Sequence, residues 1–445
     1  MRKIILLFIT SLLCFGSAIA QKAKYVVLIS IDGLRPDFYM DKSWPAPNLQ
    51  QLMEEGVHSE GVRGVFPTVT YPSHTTIITG ALPAKHGIYY NTPFEPQGAT
   101  GQWFTEERLI QTETLWDKVN NAGMKTASVS WPVSVGAPIH YNLPENFSLK
   151  NPGDRRGPIS EAATPKGLFE EVMKGATGEL EANDLNLRYY SMDENLGRMA
   201  AYLIRNYKPN FISVHLVGVD GAQHAEGREG RRVPRAVANA DHAVGAIREA
   251  VEKAGIKDST AFIIVGDHGF VDIHTSLSPN VWLAQQGLIT KTGDNVNWKA
   301  MFHTATGSAF LHLKDKNDRK ALKQVRKMLD NLPEEDKKLF RVVEKDELQK
   351  VGAAPDAVLA LAAVKGVALK RDLEGPVRKE AKGGAHGFYP DFHEIQTGFI
   401  AAGAGVDQGK ATPEGLEGIA PFVAELLGID FKLSTGTAQA EKEGR

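Results

Sequence analysis

Six side chains of metal-ligating type stand in short polar clusters, most of them just past an apolar run. Asp32 ends VVLISID, Asp220 and His224 follow ISVHLVG, Asp267 and His268 follow AFIIVG, and His386 lies in GGAHGF. Three carboxylates and three imidazoles divide into two sets of hard and borderline donors, the inventory for two zinc ions. Thr70, in FPTVTYPSH, adds a hydroxyl that can lie between the sets as a nucleophile. Together these groups point to cleavage of phosphate esters. A single histidine reads as an ordinary surface or core residue, and it is the joint pattern that reverses that reading. His58, His242, His274, His303 and His393 lack such a setting and keep the ordinary one.

These side chains need a scaffold that delivers them to one place. Apolar runs at 25–31, 126–130, 211–217, 261–265 and 397–401 predict strands, and 47–55, 112–122, 194–206, 233–254 and 413–427 predict helices. In the longest helix Val233, Val237, Ala240, Val244, Ile247 and Val251 recur at three- and four-residue steps, which defines one buried face. Alternation of the two kinds predicts an α/β fold, a mostly parallel sheet flanked by helices. Ligands bind such sheets beyond the carboxyl ends of the strands, where Asp32, Asp220 and Asp267 would stand. Pro72 suits a helix first turn, so Thr70 would precede a helix over 73–79, at an end that favours negative charge. Without metals Thr70 reads as a plain N-cap, with Thr68 competing for that role. The stretch 275–384 breaks the alternation and is expected to be an inserted cap subdomain. Its mixed-charge run at 315–338 reads as a solvated helix face.

The chain has 445 residues, and the first twenty read as a secretory signal: Arg2 and Lys3, the apolar IILLFITSLLCFG, then Ala18-Ile19-Ala20 before Gln21. That apolar run is short of the roughly 20 residues a membrane span needs. The one cysteine, Cys14, falls inside it, so the mature chain has no disulfide, and its size supplies a core without one. A periplasmic or secreted protein is expected, with a catalytic domain over 21–433 and a polar, disordered tail over 434–445. No later stretch reads as a transmembrane segment, and the oligomeric state is not legible. A net charge of −2 gives no polyanion-binding surface, so a small-molecule substrate is expected instead of long nucleic acid.

The segments ISIDGLRPD, FPTVTYPSHTTIITGALPAKHGIYYN, VGVDGAQHAEG, VGDHGF and GGAHGF together resemble the nucleotide pyrophosphatase/phosphodiesterase family of the alkaline phosphatase superfamily, in its bacterial form. The resemblance implies an alkaline-phosphatase-like fold and a hydrolase of phosphodiester or pyrophosphate bonds in nucleotides or related small molecules. It implies one zinc held by Asp220, His224 and His386, and another held by Asp32, Asp267 and His268 together with Thr70. Thr70 would attack phosphorus in line and form a covalent phosphothreonine that water then hydrolyses. Asn91, in HGIYYN, matches an asparagine whose amide binds a phosphoryl oxygen, with the Tyr71 backbone N–H as a second donor. Tyr71 matches an aromatic that stacks on the nucleobase, its other reading being a core tyrosine. His215 stands where a second stacking residue is expected.

Other chemistries share the superfamily. A phosphate monoesterase needs an added basic group or third metal; the motifs offer none, and Ser130-Trp131-Pro132-Val133 is apolar. A sulfatase needs an aldehyde made from cysteine or serine, which Thr70 cannot give. A phosphonoacetate hydrolase also uses threonine with two zincs and stays open. A metal-free binding scaffold would have lost ligands, and none is missing.

Overall fold

Seven strands form the central sheet: β1 (Tyr25–Ile31), β2 (Val57–Val62), β3 (Thr126–Val129), β4 (Tyr141–Leu143), β5 (Phe211–Leu216), β6 (Thr260–Val265) and β7 (Thr397–Gly403). The computed structural model describes residues 22–187 and 189–432, so the expected signal at 1–20 and tail at 434–445 lie outside it. The spatial order is β2-β7-β6-β1-β5-β3-β4. All neighbouring pairs are parallel except those of β7, which runs antiparallel to both β6 and β2.

The strands are buried on both faces, and the residues of β1 alternate between two cores. Val27, Ile29 and Ile31 pack with α2 (Ser191–Tyr207) and α4 (Val233–Lys253). Val26 and Leu28 pack with Ile77 and Ile78 of α1 (Thr70–Thr79) and with α5 (Ile419–Leu427). Each such side chain contributes about 1.5–3 kcal/mol by leaving water. Helix α4 carries the expected stripe, with Val233, Val237, Ala240, Val244, Ile247 and Val251 buried.

The helix expected over 47–55 forms at Pro47–Glu55, and the others differ in length from expectation. The one expected over 112–122 covers Leu115–Asn121, because Thr114 caps it in a reciprocal box with Asp117. The one expected over 413–427 begins only at Ile419, after a 3-10 turn at Leu416–Gly418. The strand expected over 126–130 stops at Val129, where Ser130 turns to φ 57°.

Within 275–384 lies a separate four-stranded antiparallel sheet built from Ala300–Thr304, Ser308–Leu313, Leu359–Ala363 and Phe340–Glu344. Its charge-rich helix, Arg319–Asp330, is capped by Asp318 and buries Ala321, Val325, Met328 and Leu329. No helix among the described residues is long and apolar enough to cross a membrane.

Candidate active site

The three central strands end level with one another. Ser30 of β1 lies in register with His215 of β5 and Val265 of β6. Asp32 therefore emerges at the same rim as Asp267 and as α3 (Gly218–Glu226), which carries Asp220 in its first turn and His224 one turn later on the same face. At Gly33 the chain bends with φ +70°, and the Gly33 N–H donates to Asp267 Oδ1 at 3.0 Å. A Cβ there would meet Gln223 and Phe270 at 2.8–2.9 Å, so glycine fits both the turn and the space.

The six expected ligands converge. Asp220 Oδ1 lies 3.3 Å from His224 Nε2 and 3.6 Å from His386 Nε2, and the two Nε2 atoms are 3.0 Å apart. His268 Nε2 lies 3.4 Å from Asp32 Oδ1 and 3.2 Å from Asp267 Oδ2. The His268 and His386 rings stack at 3.6 Å, joining the two groups. Asp220 also clusters with Asp32 and His268, so it borders both.

Hydrogen bonding at the far nitrogens fixes what these atoms can do. Nδ1 of His224 faces the Gly384 carbonyl at 3.0 Å, that of His386 the Thr68 carbonyl at 2.9 Å, and that of His268 the Gly269 carbonyl at 3.2 Å. A nitrogen facing a carbonyl carries its proton, which leaves each Nε2 with a lone pair aimed inward. Asp32 Oδ1, Asp220 Oδ1, Asp267 Oδ2 and His268 Nε2 are buried and have no hydrogen-bond partner. Lone pairs gathered without a donor form a cradle for cations, and mixed nitrogen and oxygen donors suit zinc. Burial also shows in the protonation: it raises Asp267 to about 7 and lifts Asp32 well above the usual carboxylate range, helped by the charges of Asp267 and Asp220. Burial lowers His268 to about 4 and pushes His386 well down. Burial opposes the charged forms of Asp220 and His224 as well, but their mutual attraction outweighs it and holds Asp220 low and His224 high.

Thr70 is the first residue of α1 itself instead of preceding it, and extended Val69 takes the N-cap position with no side-chain cap. Thr68 does not compete as a cap, because its hydroxyl donates to the Phe388 carbonyl. Asn91 is tied to the same turn: its Oδ1 accepts from the Tyr71 N–H at 2.9 Å. The two expected phosphoryl donors are thus bonded to each other, and the Asn91 amide presents its NH2 end. Tyr71 is 1% exposed, packed with Ile88, Ile110 and Val133 and set edge-on to Trp103 at 5.1 Å, although part of it borders the cavity.

The stacking face expected of His215 is covered. Its ring lies 4.2 Å from that of His74, its Nε2 is 3.2 Å from Asp32 Oδ2, and it is 1% exposed. It therefore holds the Asp32 carboxylate in place instead. His58, His242, His274 and His393 are exposed, in keeping with the ordinary reading, and His303 is half-buried.

A cavity of about 480 Å³ opens over these groups, with Asp32, Thr70, Tyr71, His215, Asp220 and His224 in its lining. Its walls come from Trp103, Glu145, Leu187, Tyr189, Tyr190 and Arg232, and no described residue of 275–384 borders it. None of these wall residues was singled out by sequence, since each comes from a loop or helix end distant from the motifs. Glu145 forms a buried ion pair with Arg155 at 3.0 Å beside His215. Asp193, in the first turn of α2, reaches across to the start of α3, where its carboxylate accepts from the Val217 and Gly218 N–H groups at 2.8–3.2 Å. A Cβ on Gly218 would sit 2.8 Å from that carboxylate. Asp193 thus caps the ligand-bearing helix from outside, and burial raises it to about 6.

Comparison with known proteins bears on the fold and the family. The human and murine structures of ectonucleotide pyrophosphatase / phosphodiesterase 5 share the fold, the human one with a TM-score of 0.64 at 17% identity over 94% of this chain and 99% of that one. A murine structure of the same protein, described as an inactive threonine-to-alanine variant in complex with AMP, gives 0.63. Family member 3 of the ectonucleotide pyrophosphatase/phosphodiesterases from Mus musculus is 24% identical over 258 residues, covering 55% of this chain and 24% of that protein. An uncharacterized pyrophosphatase/phosphodiesterase of Schizosaccharomyces pombe is 26% identical over 260 residues, covering 58% and 47%. The chain thus spans about a quarter of the first of these relatives and about half of the second. The profile of one family, type I phosphodiesterase / nucleotide pyrophosphatase, matches residues 26–389. On that match the chain belongs to the type I phosphodiesterase / nucleotide pyrophosphatase family.

Proposed function

We propose that this chain is a zinc-dependent hydrolase of phosphodiester and pyrophosphate bonds in nucleotides or related small molecules, with Thr70 as nucleophile. One observation carries the reading. Six ligand-type side chains converge at a cavity that Thr70 also lines, and four of them, Asp32, Asp220, Asp267 and His268, hold a buried polar atom with no hydrogen-bond partner. Asp220, His224 and His386 would hold one ion, and Asp32, Asp267 and His268, with the Thr70 hydroxyl, the other. When bound, the metals supply Lewis-acid stabilisation of negative charge on hydroxyl and phosphoryl oxygens.

The chain's own residues do the rest. Thr70 starts α1, so the hydroxyl stands where first-turn N–H groups and the helix dipole favour an approaching anion. Its oxygen bonds to phosphorus as the ester or anhydride oxygen departs, and water then breaks the threonine–phosphorus bond and restores the hydroxyl. The Asn91 NH2, oriented by the Tyr71 N–H, would meet charge on a non-bridging oxygen, worth ~3 kcal/mol by comparison with oxyanion holes. Trp103, Tyr189 and Tyr190 offer aromatic surface to a base or other planar group. The solved structure of a relative described as an inactive threonine-to-alanine variant in complex with AMP supports both the nucleophile and a nucleotide ligand. Relatives named as ecto-enzymes and a venom phosphodiesterase support the reading of an exported protein.

The test is a steady-state comparison, with added zinc, of thymidine monophosphate p-nitrophenyl ester, bis-p-nitrophenyl phosphate and p-nitrophenyl phosphate. Preference for the thymidine ester over both others is expected. Preference for the monoester would mean that the fold and ligand sets serve a different reaction.

A further inference from the structure

Among the described residues that line the cavity, Arg232 is the only lysine or arginine, amid the carboxylates of Asp32, Glu145 and Asp220. It lies just before α4, on the connection that leaves α3 beyond His224. Its side chain is held in place: Nε donates to the Tyr190 hydroxyl at 3.0 Å, and the guanidinium lies 5.5 Å from the Tyr190 ring centre. That ring is gripped from elsewhere too, by Arg235 at 4.7 Å, while Asn239 donates to the Tyr190 carbonyl at 3.2 Å. The nearby Glu226 carboxylate accepts from Arg232's own backbone N–H at 2.8 Å. Among the described residues no carboxylate forms an ion pair with the Arg232 guanidinium. An arginine fixed through Nε, with its two terminal nitrogens unpaired, is arranged for bidentate grip on a phosphate.

Its position says which phosphate. Thr70 lines the same cavity and is 8% exposed. Arg232 is half-buried and follows α3, the helix that carries Asp220 and His224. An anion at Arg232 would therefore lie toward the α3 side of the cavity from the phosphorus that Thr70 attacks. We infer that Arg232 is a specificity-determining residue that binds the second phosphate of a phosphoanhydride, on the side of the departing group. The inference rests on the hydrolase reading above and deepens it: substrates with a charged departing phosphate are favoured over diesters with an uncharged one.

Two measurements on the zinc-loaded protein test this. In the first, kcat/KM of wild type, Arg232→Ala and Arg232→Lys is compared on ATP and on thymidine monophosphate p-nitrophenyl ester. Arg232→Ala should lose ~10- to 100-fold on ATP and less than about twofold on the ester, with Arg232→Lys between, since it keeps the charge and loses the fork. In the second, calorimetry on a Thr70→Ala background compares ADP with AMP, which needs no turnover. ADP should bind ~10-fold tighter than AMP with Arg232 present, and equally once it is alanine. Equal losses on both substrates, or a loss confined to the ester, would overturn the assignment. So would an unchanged ADP-to-AMP ratio in the arginine variant. If wild type cleaves neither substrate while the binding ratio responds to Arg232, the hydrolase reading fails and the phosphate-binding role stands.

Discussion

The two ligand sets differ most in their access to solvent. The Asp32, Asp267 and His268 side chains are 8%, 0% and 0% exposed, whereas Asp220, His224 and His386 are 22%, 39% and 7%. The closed set is locked on every side: Gly33 N–H holds Asp267, His215 holds Asp32, and the Gly269 carbonyl holds His268. The open set hangs on one helix, α3, and on a loop histidine, so its geometry depends on how α3 is anchored. On the proposed reading, the closed set would hold its ion more permanently and the open set would exchange with whatever enters the cavity. A nucleophile needs a fixed partner, while a departing group needs a partner that solvent can reach.

Several experiments would break or sharpen this contrast, beginning with the largest effect. Thr70→Ala should lower turnover by ~10⁴-fold or more, the scale seen when a nucleophile is removed. Metal content should stay at two per chain, read by elemental analysis; retention of more than a few per cent of the activity would count against Thr70. Asn91→Ala should slow catalysis by ~100-fold or more if its amide meets developing charge. An unchanged rate would remove it from the site. Asp193→Ala should act on the open set alone. Loss of the external cap costs ~1–2 kcal/mol and frees the start of α3, so one metal equivalent should weaken ~10-fold while the other is unchanged. Chelator competition reads this, and equal weakening of both would make Asp193 a general stability residue.

The smallest effect is a pH trend. Asp32, Asp193 and Asp267 are all raised in the folded apo-protein, the last two to about 6 and about 7. Between their unfolded values and these, the folded chain binds more protons than the unfolded one, so stability falls as pH rises. The lowered histidines, His268 and His386 among them, oppose this trend below about pH 6.5, so the apo-protein's melting temperature should drop only from about pH 7 to pH 8, and zinc should restore most at the alkaline end. A flat apo profile would argue against buried, cation-less carboxylates.

How much of this was legible in sequence varied with the kind of residue. Asp32, Asp220 and Asp267 could be read because a strand must be apolar and a ligand cannot be, so YVVLISID marks both at once. His386 was legible only through the glycine-rich setting it shares with His268, AHGF and DHGF, since the two-residue strand before it, Gly384–Ala385, carries no pattern. Strand β2 was missed because VHSEGV is mostly polar and holds a glycine, which an edge strand tolerates. Asp193 reads as any acidic residue in a helix first turn, and nothing local tells that its partners lie 24 and 25 residues on. Glu145, Tyr190 and Arg232 gave no signal either. They meet the site only through packing, and the basic group that the motifs lacked comes from outside them.

Titration of the apo-protein with zinc, followed by calorimetry and by timed removal with a chelator, tests the central contrast most directly. The account predicts two equivalents per chain, one released quickly and the other slowly, with His224→Ala abolishing only the fast one. A single equivalent, or two that leave together and respond equally to His224→Ala, would contradict it.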